Sequence, residues 1–156
     1  MTKPLQSCPE CGAVLDRPAR SSRHHRRLFG LITAAFHNWP ENCEFQPESA
    51  EHLRAWLLVK AGHRETREIP VTFLEEYPIL TPLTRLTIEA VLREAGPFPV
   101  INPNASAGTL SITWSKSIAW SELDQRKFSP IAEAVEQTIE QELGVTAEQL
   151  LREKAA

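Results

Sequence analysis

Cysteine is scarce in this chain, three in 156 residues. That is too few for a disulfide framework and better suited to metal ligands or buried thiols in a reducing compartment. No apolar run approaches the ~20 residues needed to cross a bilayer. The stretch before Cys8 also lacks the apolar core of a secretion signal, so a cytoplasmic protein with no membrane partner is expected. Gly-rich phosphate loops, nucleophile elbows, dinucleotide fingerprints and His-Glu-x-x-His are all missing. Glu75, Glu76 and Asp124 are scattered and form no paired-carboxylate pattern. A protein that is not an enzyme is the expectation, with a metal-dependent nuclease, suggested by His24-His25 before the arginines, as the catalytic alternative. With no internal repeat or low-complexity linker, the reading is a zinc-knuckle segment over 1–19 and a single domain over 20–156.

The net charge of -3 is unevenly spread. Residues 1–67 hold ten Lys/Arg against seven Asp/Glu, and residues 68–156 hold seven against thirteen, so the halves stand at +3 and -6. Arg17, Arg20, Arg23, Arg26 and Arg27 fall within eleven residues beside His24 and His25. A local basic patch on an acidic protein can attract phosphates, whereas the acidic remainder argues against a protein that simply coats nucleic acid.

Ser21 or Ser22 can cap a helix running to about His37, with Leu28, Leu31, Ile32, Ala35 and Phe36 at helical spacing. Its first turns carry the arginines. Positive charge is unfavourable there, because the helix dipole already supplies about half a unit of it. Such a sequence presents those charges either to an anion or to solvent and the fold's own carboxylates. A second helix over about 50–61 is capped by Ser49 and stopped by Gly62, and the connection before it is long enough to let the two helices pack antiparallel. "REIPVTFLEEYPIL" reads as a short edge strand and then a loop, and Pro82 opens a third helix ending near Gly96. "FPVI" and "TLSITWSKSIAW" flank "NPNASAG" as a hairpin. Leu110, Ile112, Trp114, Ile118 and Trp120 share its apolar face, which Lys116 interrupts. Ser121 with Asp124 approximates a capping box, Ser129-Pro130 restarts or kinks the last long helix, and Thr146 caps a short terminal one. The fold class is α+β, a small antiparallel sheet packed against several helices, with an N-terminal zinc knuckle.

Cys8-Pro9-Glu10-Cys11-Gly12 carries that knuckle: two thiolates three residues apart on a tight turn can grip one tetrahedral ion. His24 or His25 lies about 18–20 Å along the helix from His37, too far to share a metal with it. The remaining ligands therefore come either from one of His24 and His25 together with His63, or from His37 and Cys43. The near-end set is preferred, because about a dozen residues separate Cys11 from His24, a spacing common in small Cys/His zinc units. A site closed by four ligands is structural. Trp56, Trp114 and Trp120 read as core by their periodicity, and Trp39, before Pro40, reads as the tryptophan placed for base stacking.

"RSSRHHRRLFGLI", "HLRAWLLVKAGH" and "SKSIAWSELDQRKF" resemble, in that order, the motifs of an uncharacterised phage and prophage protein family, over about residues 20–153. The first is also similar to a helix start in the NinB or Orf recombination proteins of lambdoid phages. The likeness bears on Arg20, Ser21, His25, Arg26 and Arg27 in the helix and on Lys116, Ser117 and Ile118 in the strand. It implies a homodimeric recombination accessory in the host cytoplasm that binds single-stranded DNA and the host single-strand-binding protein. The chain departs from Orf at "CPECG", where a strand-like leader would stand, which suggests that metal substitutes for lost sheet. The expected function is a DNA recombination or replication accessory gripping single strands through Arg20, Arg23, Arg26 and Arg27, with Lys116 and Trp39 adding contacts. The alternative is an adaptor whose basic helix docks on an acidic protein.

Overall fold

The computed structural model describes residues 6–7, 14–15, 22–119 and 123–155. In chain order they form β1 (Gln6–Ser7), β2 (Val14–Leu15), α1 (Ser22–His37), α2 (Ala50–Lys60), β3 (Arg64–Pro70), β4 (Thr72–Leu74), β5 (Tyr77–Ile79), α3 (Pro82–Ala95), β6 (Val100–Asn104), β7 (Thr109–Ser115), α4 (Gln125–Leu143) and α5 (Ala147–Ala155). The class is α+β, with a three-stranded antiparallel sheet in the order β3-β7-β6 and two further strand pairs, β1 with β2 and β4 with β5. Among the described residues no helix is long and apolar enough to cross a membrane. Packing divides the chain into two units, Met1–Gln46 with Ser117–Ala156, and Pro47–Lys116.

The first unit is built on three helices. Leu28, Leu31, Ile32 and Ala35 recur at three- and four-residue intervals along α1 and are buried. α1 packs with α4 and α5, which contribute Phe128, Val135, Ile139, Ala147 and Leu150 to the buried set. The N-cap of α4 is Asp124, whose carboxylate accepts from the Lys127 amide at 3.0 Å. Asp124 thus caps the helix directly; Ser121 lies outside the described residues. Pro130 neither restarts nor ends the helix, which runs through it to Leu143. A proline there removes one backbone bond, to the carbonyl four residues back, while the Phe128, Val135 and Ile139 stripe stays buried across it. Before α5, the Thr146 amide donates to Gln149 Oε1 at 2.9 Å and the Gln149 amide to Thr146 Oγ1 at 3.3 Å. These reciprocal bonds form a capping box.

The second unit places α2 and α3 against the sheet. Ser49 caps α2 by accepting from the His52 amide at 3.1 Å. α1 belongs to the first unit and α2 to the second. β7 alternates as its sequence requires, with Leu110, Ile112 and Trp114 buried and the residues between them half-buried. Together with Ile69 and Val71 they form the core on which Phe73 and the α3 residues Ile88, Val91, Leu92 and Ala95 pack. β7 stops at Ser115, earlier than the apolar alternation suggests. The Lys116 amide adds one bond, to the His63 carbonyl at 3.0 Å, and then Ser117 Oγ accepts from the Ala119 amide. That local hydroxyl turn competes with the ladder. Ile118 is buried all the same. Where a loop is expected after the edge strand, β4 and β5 pair as a hairpin.

Candidate nucleic-acid interface

The start of α1 carries Arg23, His24, His25, Arg26 and Arg27, and no acidic residue lies in its first turn. Arg23, Arg26 and Arg27 follow i, i+3, i+4 spacing, so they form one polar face while Leu28, Leu31 and Ile32 turn inward. Arg23 and Arg26 are exposed, and among the described residues neither forms an ion pair. Arg27 differs, because its Nη2 lies 2.7 Å from Oε1 of Glu136 on α4. Arg20 lies outside the described residues.

Beside this pair α1 and α4 enclose an open cleft of about 190 Å³. Its apolar floor is Leu28, Phe128 and Ala132, and its polar rim includes Arg27, Ser129, Glu133 and Glu136. His24 closes one side. Its Nδ1 lies 3.0 Å from Gln125 Nε2, which also donates to Ser129 Oγ at 2.8 Å. His25 is half-buried among aromatic rings, 4.5 Å from Phe29 and 6.1 Å from Phe128, centroid to centroid. The arginine cluster therefore stands beside a concave surface, and one of its three described members is already answered by a carboxylate of the same unit.

The other residues singled out in the sequence lie elsewhere. Trp39 follows the far end of α1, half-buried, its Nε1 donating to the Phe45 carbonyl at 2.8 Å and its ring edge-on to the Phe45 ring. Lys116 is exposed at the end of β7, and His63 sits at the α2–β3 junction, its amide donating to Leu58 O at 2.9 Å. Both belong to the second unit. Of the far-end ligand set, His37 is the exposed last residue of α1 and Cys43 Sγ lies 3.5 Å from Glu142 Oε2. Cys8 and Cys11 lie outside the described residues. The pairing of Ser7 with Val14 brackets the segment that contains them.

The α4 side of the cleft escapes a reading of the sequence alone. Gln125, Ser129, Glu133 and Glu136 repeat at four, four and three residues, a polar stripe flanking the apolar stripe of Phe128, Val135 and Ile139. That spacing and the negative charge of the second half were legible; the helix they face was not. No protein-family model, curated protein or solved structure matches this chain.

Proposed function

We propose that the chain binds single-stranded nucleic acid through the start of α1, with Arg23 and Arg26 on phosphates. The observation that carries this reading is the pair of exposed guanidinium groups without a described carboxylate partner, at a helix end whose amides add to the positive potential. The apolar floor of the adjoining cleft gives a base somewhere to rest, and its width comes from two helices instead of a loop. A role in phage recombination or replication follows from the likeness of the α1 motif and from nothing in the cleft itself. Fluorescence anisotropy with a labelled single-stranded oligonucleotide tests the proposal. Binding should weaken with salt, and each arginine replaced by alanine should lower the slope of log K against log salt by about 0.7. An Arg23→Ala, Arg26→Ala variant that binds as tightly as the parent would remove the reading.

A second reading, docking on an acidic protein segment, is favoured by one observation: Arg27 already holds a carboxylate at 2.7 Å. A polyglutamate peptide competing with the oligonucleotide at equal charge and equal salt would support it over the first. We further propose a structural zinc on Cys8 and Cys11, completed by one of His24 and His25 or by His37 and Cys43. The strand pair that brackets the two thiols supports the arrangement, since a Cys-x-x-Cys turn needs its ends held together. Metal analysis of the purified chain, with Cys8→Ser as control, should find one zinc per chain and its loss in the variant.

A further inference from the structure

The cleft between α1 and α4 holds a charge that phosphate contacts leave unused. On its rim Arg27 and Glu136 answer each other at 2.7 Å. Glu133, one turn before Glu136 on the same polar stripe, is exposed and also lines the cleft. Among the described residues it forms no ion pair. One arginine and two glutamates leave the rim negative, so it repels a phosphate instead of holding one. That separates two roles. The exposed Arg23 and Arg26 on α1 suit the backbone of a strand, whereas a carboxylate attracts an N–H donor, and in a DNA strand only the bases carry N–H groups.

Size and hydrogen bonding narrow the base. An apolar cavity of ~150 Å³ takes up benzene. The cleft, at about 190 Å³, therefore suits one six-membered ring with its substituents better than two fused rings. Its floor of Leu28, Phe128 and Ala132 offers no side-chain hydrogen bond, so the polar edge of a bound ring must be satisfied at the rim. Ser129 lies one turn before Glu133, ~5–6 Å away between Cβ atoms. Its Oγ accepts from Gln125 Nε2 at 2.8 Å, which leaves the hydroxyl hydrogen to donate. An acceptor beside a donor matches cytosine, whose N4 amino group stands next to the ring acceptor N3. Thymine puts its O4 acceptor where that amino group would be, and two acceptors then oppose each other. We propose, resting on the assignment of phosphates to Arg23 and Arg26, that the cleft takes one base of the bound strand and selects cytosine, with Glu133 accepting from N4 and Ser129 donating to N3.

Anisotropy titrations of the full chain with oligodeoxycytidine and oligodeoxythymidine of equal length test this, because equal phosphate number cancels the backbone contribution in the ratio. The cytosine strand should bind about tenfold tighter. Glu133→Gln keeps the length of the side chain but adds a donor that O4 can accept, so the two affinities should come within about twofold of each other, the thymine strand binding no more weakly than before. A parental ratio below about twofold overturns the cytosine site, and if salt-dependent binding persists the phosphate contacts stand without it. A preference that survives Glu133→Gln overturns it as well, since it then arises elsewhere. An adenine strand, with an amino group beside a ring acceptor on a larger base, should fall between the two; tighter binding than cytosine overturns the argument from size. Deoxycytidine carries no phosphate and separates this site from the arginines. At millimolar concentration it should shift the amide NMR signals of Ser129 and Glu133 where thymidine does not, and should do so equally in the Arg23→Ala, Arg26→Ala variant. Absence of those shifts overturns the cytosine site whether or not strands bind.

Discussion

Replacing Glu136 by Gln should make the protein bind single-stranded DNA more tightly. The substitution keeps the shape of the cleft but removes the charge 2.7 Å from Arg27. With side chains 40% and 32% exposed, the pair contributes only about 0.5 kcal/mol to stability. Thermal unfolding should therefore move little. Affinity should move more, because Arg27 becomes available to a phosphate. One added contact on a single strand releases about 0.7 of a counterion, which amounts to about eightfold tighter binding at 50 mM salt and about threefold at 200 mM. Anisotropy titrations at the two salt concentrations read both the size and its decline. In an Arg27→Ala background the same substitution should add much less, and the difference measures the coupling between the two side chains. An affinity that falls would mean that the carboxylate itself holds the ligand, and an unchanged one would take Arg27 out of the interface. The first result refutes the placement of phosphate on this face of α1; the second confines it to Arg23 and Arg26.

The elements whose signals are local were legible. α1 ends at His37, α2 is capped by Ser49, and the alternation of β7 buries Leu110, Ile112 and Trp114. Where competing local signals met, the sequence misled. Ser129-Pro130 is a helix breaker by backbone chemistry, yet α4 passes through it because Phe128, Val135 and Ile139 are buried on both sides and outweigh one lost bond. "LEEY" carries no glycine to announce a two-residue turn, and Glu75 takes the positive φ instead, so a hairpin read as a loop. The candidate site divides in the same way. Its arginines stand out in the sequence because they are clustered, whereas Gln125, Ser129, Glu133 and Glu136 come from a helix about a hundred residues later and were assigned no partner. Spacing along one helix marks a face; it does not name the surface opposite.

Gly30→Ala should stabilise α1 by about 0.5–1 kcal/mol, since a Cβ there would meet Leu151 Cδ2 at an ordinary 3.8 Å; a lower melting temperature would show that the helix contact is tighter than this distance allows. Pro130→Ala should add about 1–2 kcal/mol in urea unfolding, the regained bond to the Arg126 carbonyl being partly offset by a freer unfolded chain, and a loss would mean that the proline supports a contact of its own. Arg23→Glu separates function from stability most directly. Arg23 is the second residue of α1, where the helix amides favour an anion and no acidic neighbour relieves the arginine. Reversing its charge removes an unfavourable interaction and adds a favourable one, each about 0.3–1 kcal/mol, so the variant should unfold at higher denaturant. The same change puts a negative charge where phosphate is proposed to sit, and binding to single-stranded DNA should fall well beyond the effect of Arg23→Ala. Opposite signs in the two measurements are what a residue kept for its ligand must give. If Arg23→Glu destabilises the chain, the arginine answers a carboxylate of its own protein, and the helix start is neutralised for folding instead of left open for binding.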